Sequence, residues 1–352
     1  MQQCTGVLRD LEKQDLNNTN NTNDTNNTNN GNNRGTGPAD RGRSGSIRGS
    51  LTLLLCAIIW GSGFIGQKVG LSDLPPFALN GARHLLSAVI LIPAGFFLMK
   101  KNGYTDKDKY GSDEVRRRWQ NLIKGSIICG IFLALGTNMQ QAGLMWISAG
   151  ESGFITALYV VIVPFFGTFL GLKIKKRIWG CAATSIIGFG LLCLKDQMHI
   201  STGVWLTLGC AFAFSVEMLA IDRFVTPRNA VALSAGQMLV AALVSVAVSF
   251  FLESPSTGQL VSGLPVILYL ALVPTTLGYT LQIIGQGHTE PALASLILSL
   301  ESVFAAIFGV LFLGESMTAR ELAGCAIIFG SIVVAQLPDK RPDKRTDRKE
   351  GQ

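Results

Sequence analysis

Ten apolar runs, most of them long enough to cross a bilayer as a helix, decide what this chain can fold into. They fall at roughly 50–69, 77–99, 122–147, 152–172, 178–194, 203–221, 230–252, 264–285, 291–313 and 319–337. At 1.5 Å per residue a helix of about 20 residues rises about 30 Å, the thickness of a bilayer's hydrocarbon core. One soluble domain cannot bury ten such helices, so the pattern reads as a polytopic helical membrane protein. No strand pattern competes, and in lipid a helix satisfies its own backbone groups. Bulk composition hides this: 48% apolar residues in a chain of 352 is ordinary for a soluble protein. The 15% of residues that are charged crowd into the two ends and a few short gaps.

The two ends differ from the middle. Residues 1–48 are polar, carry no run resembling a signal peptide, and include an Asn/Thr tract that cannot bury enough apolar surface to fold. They are expected to form a disordered cytoplasmic tail. The tract's four Asn-x-Thr triplets, at Asn17, Asn20, Asn23 and Asn26, follow from its repetitive composition. Residues 338–352 read as a basic cytoplasmic tail. Six of the seven cysteines fall inside apolar runs without CxxC spacing, so they read as small packing residues, with no metal site and no disulfide framework.

Charge sets the expected orientation. With the N-terminus placed inside, the cytoplasmic segments hold 26 of the 30 Lys and Arg residues, including KIKKR at 173–177. That bias predicts both termini in the cytoplasm. It also accounts for the net charge of +7 without nucleic acid.

The runs repeat. Cys56-Ala57 recurs as Cys210-Ala211 and Phe96-Phe97-Leu98 as Phe250-Phe251-Leu252, both at an offset of 154. Beyond the long 100–121 loop the sequence offset reads as 138–139, which pairs Thr137 with Thr276 and Glu301 with Ile162. Gly180-Cys181-Ala182 recurs as Gly324-Cys325-Ala326. The expected units are 50–195 and 203–337. Five spans is an odd number, so the second unit is expected inverted against the first. The fold class expected is all-α, with ten transmembrane helices as two inverted five-helix repeats. Secondary carriers recur on such repeats, with the substrate near the midplane where the halves meet.

Two stretches resemble one family. Trp60-Gly61-Ser62-Gly63-Phe64 is similar to the WG(S/T)xF signature of the drug/metabolite transporter superfamily. LESVFAAIFGVLFLGES, in the ninth run, resembles the LEPV-A-L-G-LGE helix of its EamA-type members. The resemblance covers about 50–337 and implies a secondary carrier, often an exporter of amino acids or similar metabolites, with a central cavity between the halves. One departure is Ser302, where the family usually has Pro, so a weaker kink is expected in that helix.

Polar residues inside the runs are the candidate site. Glu301 sits near the middle of the ninth run, where a charge costs roughly 2.5–3.5 kcal/mol on the lenient insertion scale. Glu217, in the sixth, aligns with Gly63, so only one half carries that acid. Both are candidates for proton coupling or for anchoring an amine, and Glu217 has a salt bridge to Lys68 or Arg223 as its bland alternative. Asn138 and Gln141 in the third run, and Tyr279 and Gln282 in the eighth, are candidate cavity walls, as are Trp60 and Tyr159. Arg83 shares a helical face with Asn80, His84 and Ser87, and it has two readings: a bidentate clamp for a substrate carboxylate, or a structural cation that snorkels to the interface. No Walker loop, HExxH or dinucleotide glycine pattern is present.

The function expected is secondary transport, in the export direction, of a small metabolite such as an amino acid, by alternating access in the cell membrane. The partners expected are a small-molecule substrate and the lipid bilayer, with a proton as candidate coupling ion and a homodimer as candidate assembly. No catalysis, cofactor or metal is expected. The alternatives are a lipid flippase or amphiphile exporter of the same fold, whose cavity would open sideways to lipid, and behind these a membrane sensor or enzyme.

Overall fold

The computed structural model describes residues 47–193, 201–313 and 318–337. The Asn/Thr-rich tail, the basic tail after 337 and the GES end of the ninth-run motif lie outside them. The described residues are helical throughout, with no strand among them. The long helices are α1 (Ile47–Gly70), α2 (Pro76–Lys101), α3 (Ser112–Gly143), α4 (Ala149–Phe169), α5 (Lys176–Cys193), α6 (Thr202–Phe224), α7 (Ala230–Leu252), α8 (Leu264–Gln286), α9 (Pro291–Phe312) and α10 (Ala319–Gln336). All but α5 and α10 are long and apolar enough to cross a membrane, eight in all among the described residues. Helices α5 and α10 have 18 residues each and pack on one another.

Large apolar side chains stand exposed along the helices, among them Phe96, Phe97, Phe250, Phe251, Leu311 and Phe312. So much exposed aromatic surface is a liability in water and suits a lipid face. The interior is unusually polar. Asn80, Arg83, His84, Thr137, Gln141, Glu217, Gln237 and Gln282 are all buried.

Helix α3 starts well before its apolar run. The polar turns at its start stay helical, supported by Glu114, which accepts from Arg117 and Arg118 three and four residues on. Helix α2 pairs most extensively with α7, and α3 with α6. At its N-terminus α2 is capped from α7's end: both Glu253 oxygens accept backbone N–H bonds, from Phe77 and Ala78, at 2.9 and 2.7 Å.

Three helices are broken at mid-length. In α4 the backbone switches to i→i−3 bonds at Leu158, Val160 and Val161. In α9 it does so at Leu300 and Ser302, just after Ser295 and Ser299 turn their hydroxyls back onto carbonyls of the preceding turn. The kink expected to be weak at Ser302 is therefore a full interruption made without Pro, and the Ser302 hydroxyl donates across to the Gly153 carbonyl of α4 at 2.9 Å. In α8, residues 271–278 widen into a π-helical turn around Pro274, which has no N–H to give the ladder.

Element ends also revise the spacing read from sequence. Ile47 and Pro76 open α1 and α2, while Thr202 and Ala230 open α6 and α7, at spacings that agree to within one position. The two segments of α4 open at Ala149 and Tyr159, and those of α9 at Pro291 and Glu301. Pro291 therefore stands as far from Ala149 as Glu301 does from Tyr159, and this shared spacing is longer than the offset of 138–139. The shorter offset is displaced because isolated Thr, Glu and Phe identities recur by chance in apolar helices. The residue at the position matching Glu301 is Tyr159, and Ile162 is three places off.

The small residue Gly61 lets α1 cross α9 closely. A Cβ there would lie 2.5 Å from the Phe304 Cβ and 2.9 Å from the Ala305 backbone nitrogen. Gly61→Ala is expected to destabilise the protein by about 1–3 kcal/mol through overpacking. Gly330→Ala, where nothing lies within 4 Å, is expected to leave stability within about 0.5 kcal/mol. Thermal unfolding of the two variants in detergent checks the contrast, and equal midpoints would refute it.

Candidate functional site

The breaks in α4, α8 and α9 surround one cavity in the middle of the helix bundle. It is lined from α1 by Trp60, Gly63, Phe64 and Gln67, from α2 by Arg83 and from α3 by Gln140. Tyr159 of α4, Phe214 and Met218 of α6, and Pro274, Tyr279 and Gln282 of α8 continue the wall, with Glu301 of α9. Its volume is about 30 Å³, room for one or two waters and too small for an amino acid.

Helix breaks explain how these side chains are held. The π-helical turn frees two carbonyls of α8. Trp60 Nε1–H donates to that of Pro274 at 3.1 Å, and Cys56 Sγ–H to that of Gly278 at 3.2 Å. The Trp60 ring then lies against Tyr279, with ring centroids 4.8 Å apart. Tyr159 and Glu301 are each the first residue after their helix's break. The Tyr159 hydroxyl donates to Glu301 Oε1 at 3.0 Å.

Two charged types face this space without a countercharge. Glu301 is 4% exposed and Arg83 2% exposed. Among the described residues neither has an ion-pair partner, and the Arg83 Nε is buried with no hydrogen-bond acceptor. Buried charges are normally paired, because an uncompensated one costs several kcal/mol. An arginine left open beside a cavity is therefore a ready-made receptor for an anion, and an open carboxylate one for a cation.

The sequence candidates separate into two groups. Trp60, Arg83, Tyr159, Tyr279, Gln282 and Glu301 line the cavity together. Asn138, Gln141 and Glu217 are buried beside it. Asn138 Oδ1 accepts from Asn80 Nδ2 at 2.9 Å and from the Ser245 hydroxyl at 3.1 Å, joining α2, α3 and α7. Gln141 Nε2 donates to the Gln67 carbonyl at 3.2 Å. Glu217 Oε2 accepts from Gln282 Nε2 at 3.0 Å, one side chain behind the wall. The alternative of a salt bridge to Lys68 is not met: Lys68 Nζ donates to the Leu144 and Ile147 carbonyls instead. Arg223 is exposed toward the end of α6.

Sequence reasoning missed Gln67 and Phe214 as wall residues. Gln140 adjoins the candidate Gln141, and only helix rotation separates the two. Its Nε2 is tied to the Thr156 hydroxyl at 3.1 Å. Among the described residues no group of three or more His, Cys, Asp or Glu converges on a metal position.

Comparison with known proteins agrees with this architecture. An uncharacterised transporter of Archaeoglobus fulgidus is 29% identical over 291 residues, 82% of this chain and 85% of that one. A probable amino-acid metabolite efflux pump of Salmonella typhimurium is 26% identical, covering 80% of this chain and 92% of the pump. A threonine/homoserine exporter of the same species is 30% identical over 157 residues, 44% of this chain and 52% of its own length. One solved crystal structure shares the fold with a TM-score of 0.63 at 19% identity, covering 82% of this chain and 96% of the other. The family model of the EamA-like transporters matches twice, over residues 47–194 and 201–336. Because the two matches take in nearly every described helix, this integral membrane protein belongs to the EamA-like transporter family.

Proposed function

We propose that the protein exports an amino acid or a close derivative by alternating access. The observation that carries this reading is a pair of ionisable side chains of opposite sign on one buried cavity, neither ion-paired among the described residues. Arg83 suits a substrate carboxylate, Glu301 with its Tyr159 hydrogen bond suits the ammonium group, and Trp60 and Tyr279 offer apolar surface to the side chain. The names of two relatives, an amino-acid metabolite efflux pump and a threonine/homoserine exporter, point the same way. A flippase reading has less support, since the cavity is lined by seven helices and carries an ionisable side chain of each sign.

The transporting unit in this reading is ten membrane-crossing helices in two inverted halves, with both termini in the cytoplasm. Wall residues at matching positions of the halves support it: Trp60 with Phe214, Phe64 with Met218, Gln140 with Gln282 and Tyr159 with Glu301 all line the same space. The cavity as it stands admits no amino acid, so the halves must part around it. The breaks in α4, α8 and α9 are the natural places to bend.

The test is counterflow. Proteoliposomes loaded with unlabelled threonine or homoserine, or with another amino acid from a panel, are expected to draw in the labelled form faster than empty liposomes. A folded protein that gives no counterflow with any amino acid would sink the proposal.

A further inference from the structure

The second acid, Glu217, is placed unlike a substrate contact. It is fully buried, off the cavity wall, and separated from the cavity by Gln282. Around it the hydrogen-bond inventory fails in one direction. Glu217 Oε1, Gln282 Oε1, Gln286 Oε1 and Gln237 Oε1 all lack any donor, against one unpartnered donor, Gln237 Nε2. Gln286 belongs to the cluster because its Nε2 donates to the Met218 carbonyl, one residue beyond Glu217. Gln237 lies beside the carboxyl from α7. Four buried acceptors against one donor, on three helices, leave the cluster short of a proton-bearing group.

No protein cation supplies it. The titratable groups that feel Glu217 electrostatically are Cys129 of α3, Cys56 of α1 and Tyr279 of α8, two thiols and a phenol that bring no positive charge. Across the cavity stand the Tyr159–Glu301 pair of α4 and α9 and the Arg83 of α2, none hydrogen-bonded to Glu217. Helix α7 faces it with an uncharged amide.

We propose that Glu217 is the binding site for a coupling proton, separate from the substrate contact at Glu301. An acid O–H on Glu217 Oε1 supplies the missing donor, and the orphan Gln282 Oε1 of the same pair is its acceptor. The carboxyl and the amide then share two reciprocal hydrogen bonds. Gln282 connects this pair to the cavity, so water admitted by opening reaches the proton only through the wall that substrate occupies. Binding of substrate and release of the proton are thereby tied to one opening. This rests on the transport reading above, and it divides the two acids: Glu301 holds cargo, Glu217 holds the driving ion.

Two measurements on the full chain in liposomes test it. The first needs no substrate. The carbonyl stretch of a protonated carboxylic acid stands apart from amide and carboxylate bands in the infrared. At pH 7 the wild type is expected to show an acid carbonyl band that Glu217→Gln lacks and that Glu301→Gln keeps. Superimposable wild-type and Glu217→Gln spectra in that region overturn the proposal. The second compares threonine flux driven by a pH gradient with flux driven by a threonine gradient alone. With one proton per substrate, one pH unit sustains up to about a tenfold substrate gradient. The ratio of pH-driven to threonine-driven flux is expected to fall at least about tenfold in Glu217→Gln. An unchanged ratio, or a sodium gradient that replaces the pH gradient in the wild type, overturns it. Absence of flux for every amino acid of the panel counts against the transport reading, and the infrared result still decides Glu217.

Discussion

Replacing Arg83 with glutamine is expected to cut amino-acid counterflow by about 100-fold and at the same time to raise the thermal midpoint. The two effects share one cause. The Arg83 Nε has no partner, and among the described residues the guanidinium makes no ion pair, so the folded protein bears its desolvation cost without return. Removing such a charge is neutral or stabilising by about 1–4 kcal/mol where its surroundings can close over the gap. Substrate loses a charge-assisted bidentate contact, for which truncation of a buried pair costs about 2–5 kcal/mol. Arg83→Lys keeps the charge and loses the planar fork, so an intermediate loss of about tenfold is expected. Counterflow and detergent thermal unfolding, measured on the same preparations, distinguish this from a structural cation. A structural Arg83 predicts a lower midpoint with whatever flux the surviving protein allows.

The next largest effect belongs to Glu301. Glu301→Gln retains an acceptor for the Tyr159 hydroxyl and removes the charge, so folding is expected to survive while counterflow falls about 30-fold or more, equivalent to roughly 2 kcal/mol. Tyr159→Phe removes a single bond at 3.0 Å that positions the carboxylate, and its expected loss is smaller, about 3–10-fold. The double variant should lose less than the product of the two, because Tyr159 acts through Glu301. A Glu301→Gln protein with wild-type counterflow and wild-type pH dependence would reduce the residue to helix packing. Measuring counterflow for the two single variants and the double variant closes the cycle.

The Tyr159–Glu301 contact shows what repetition can hide. The two residues occupy matching positions, yet they read as unrelated in the sequence because the offset drifts between helices. Helix α3, with 32 residues against the 23 of α8, shifts the register. Small and apolar identities then align by chance at a shorter offset, while the helix breaks keep the longer one. The breaks in α4 and α9 are better landmarks than residue identity, since interrupted hydrogen bonding is a geometric event that these two helices share.

Hydrophobic run length alone was enough to read a helical membrane protein, because an apolar segment matched to bilayer thickness has few other solutions. Two short motifs, around Trp60 and around Glu301, were enough for the family. Intramembrane charge was enough to nominate Arg83, Glu217 and Glu301, since each costs too much at that depth to be incidental. Only the tertiary structure decided how these residues divide. Helix rotation puts Gln140 on the cavity and Gln141 against the Gln67 carbonyl, a difference of one position that no spacing rule resolves. Interhelical contacts give Asn138 to a structural network, and the layer formed by Gln282 sets Glu217 behind the wall that Glu301 lines. A sequence records that a buried charge is present. Whether it meets a partner, a cavity or another orphan atom depends on which faces the helices turn toward each other.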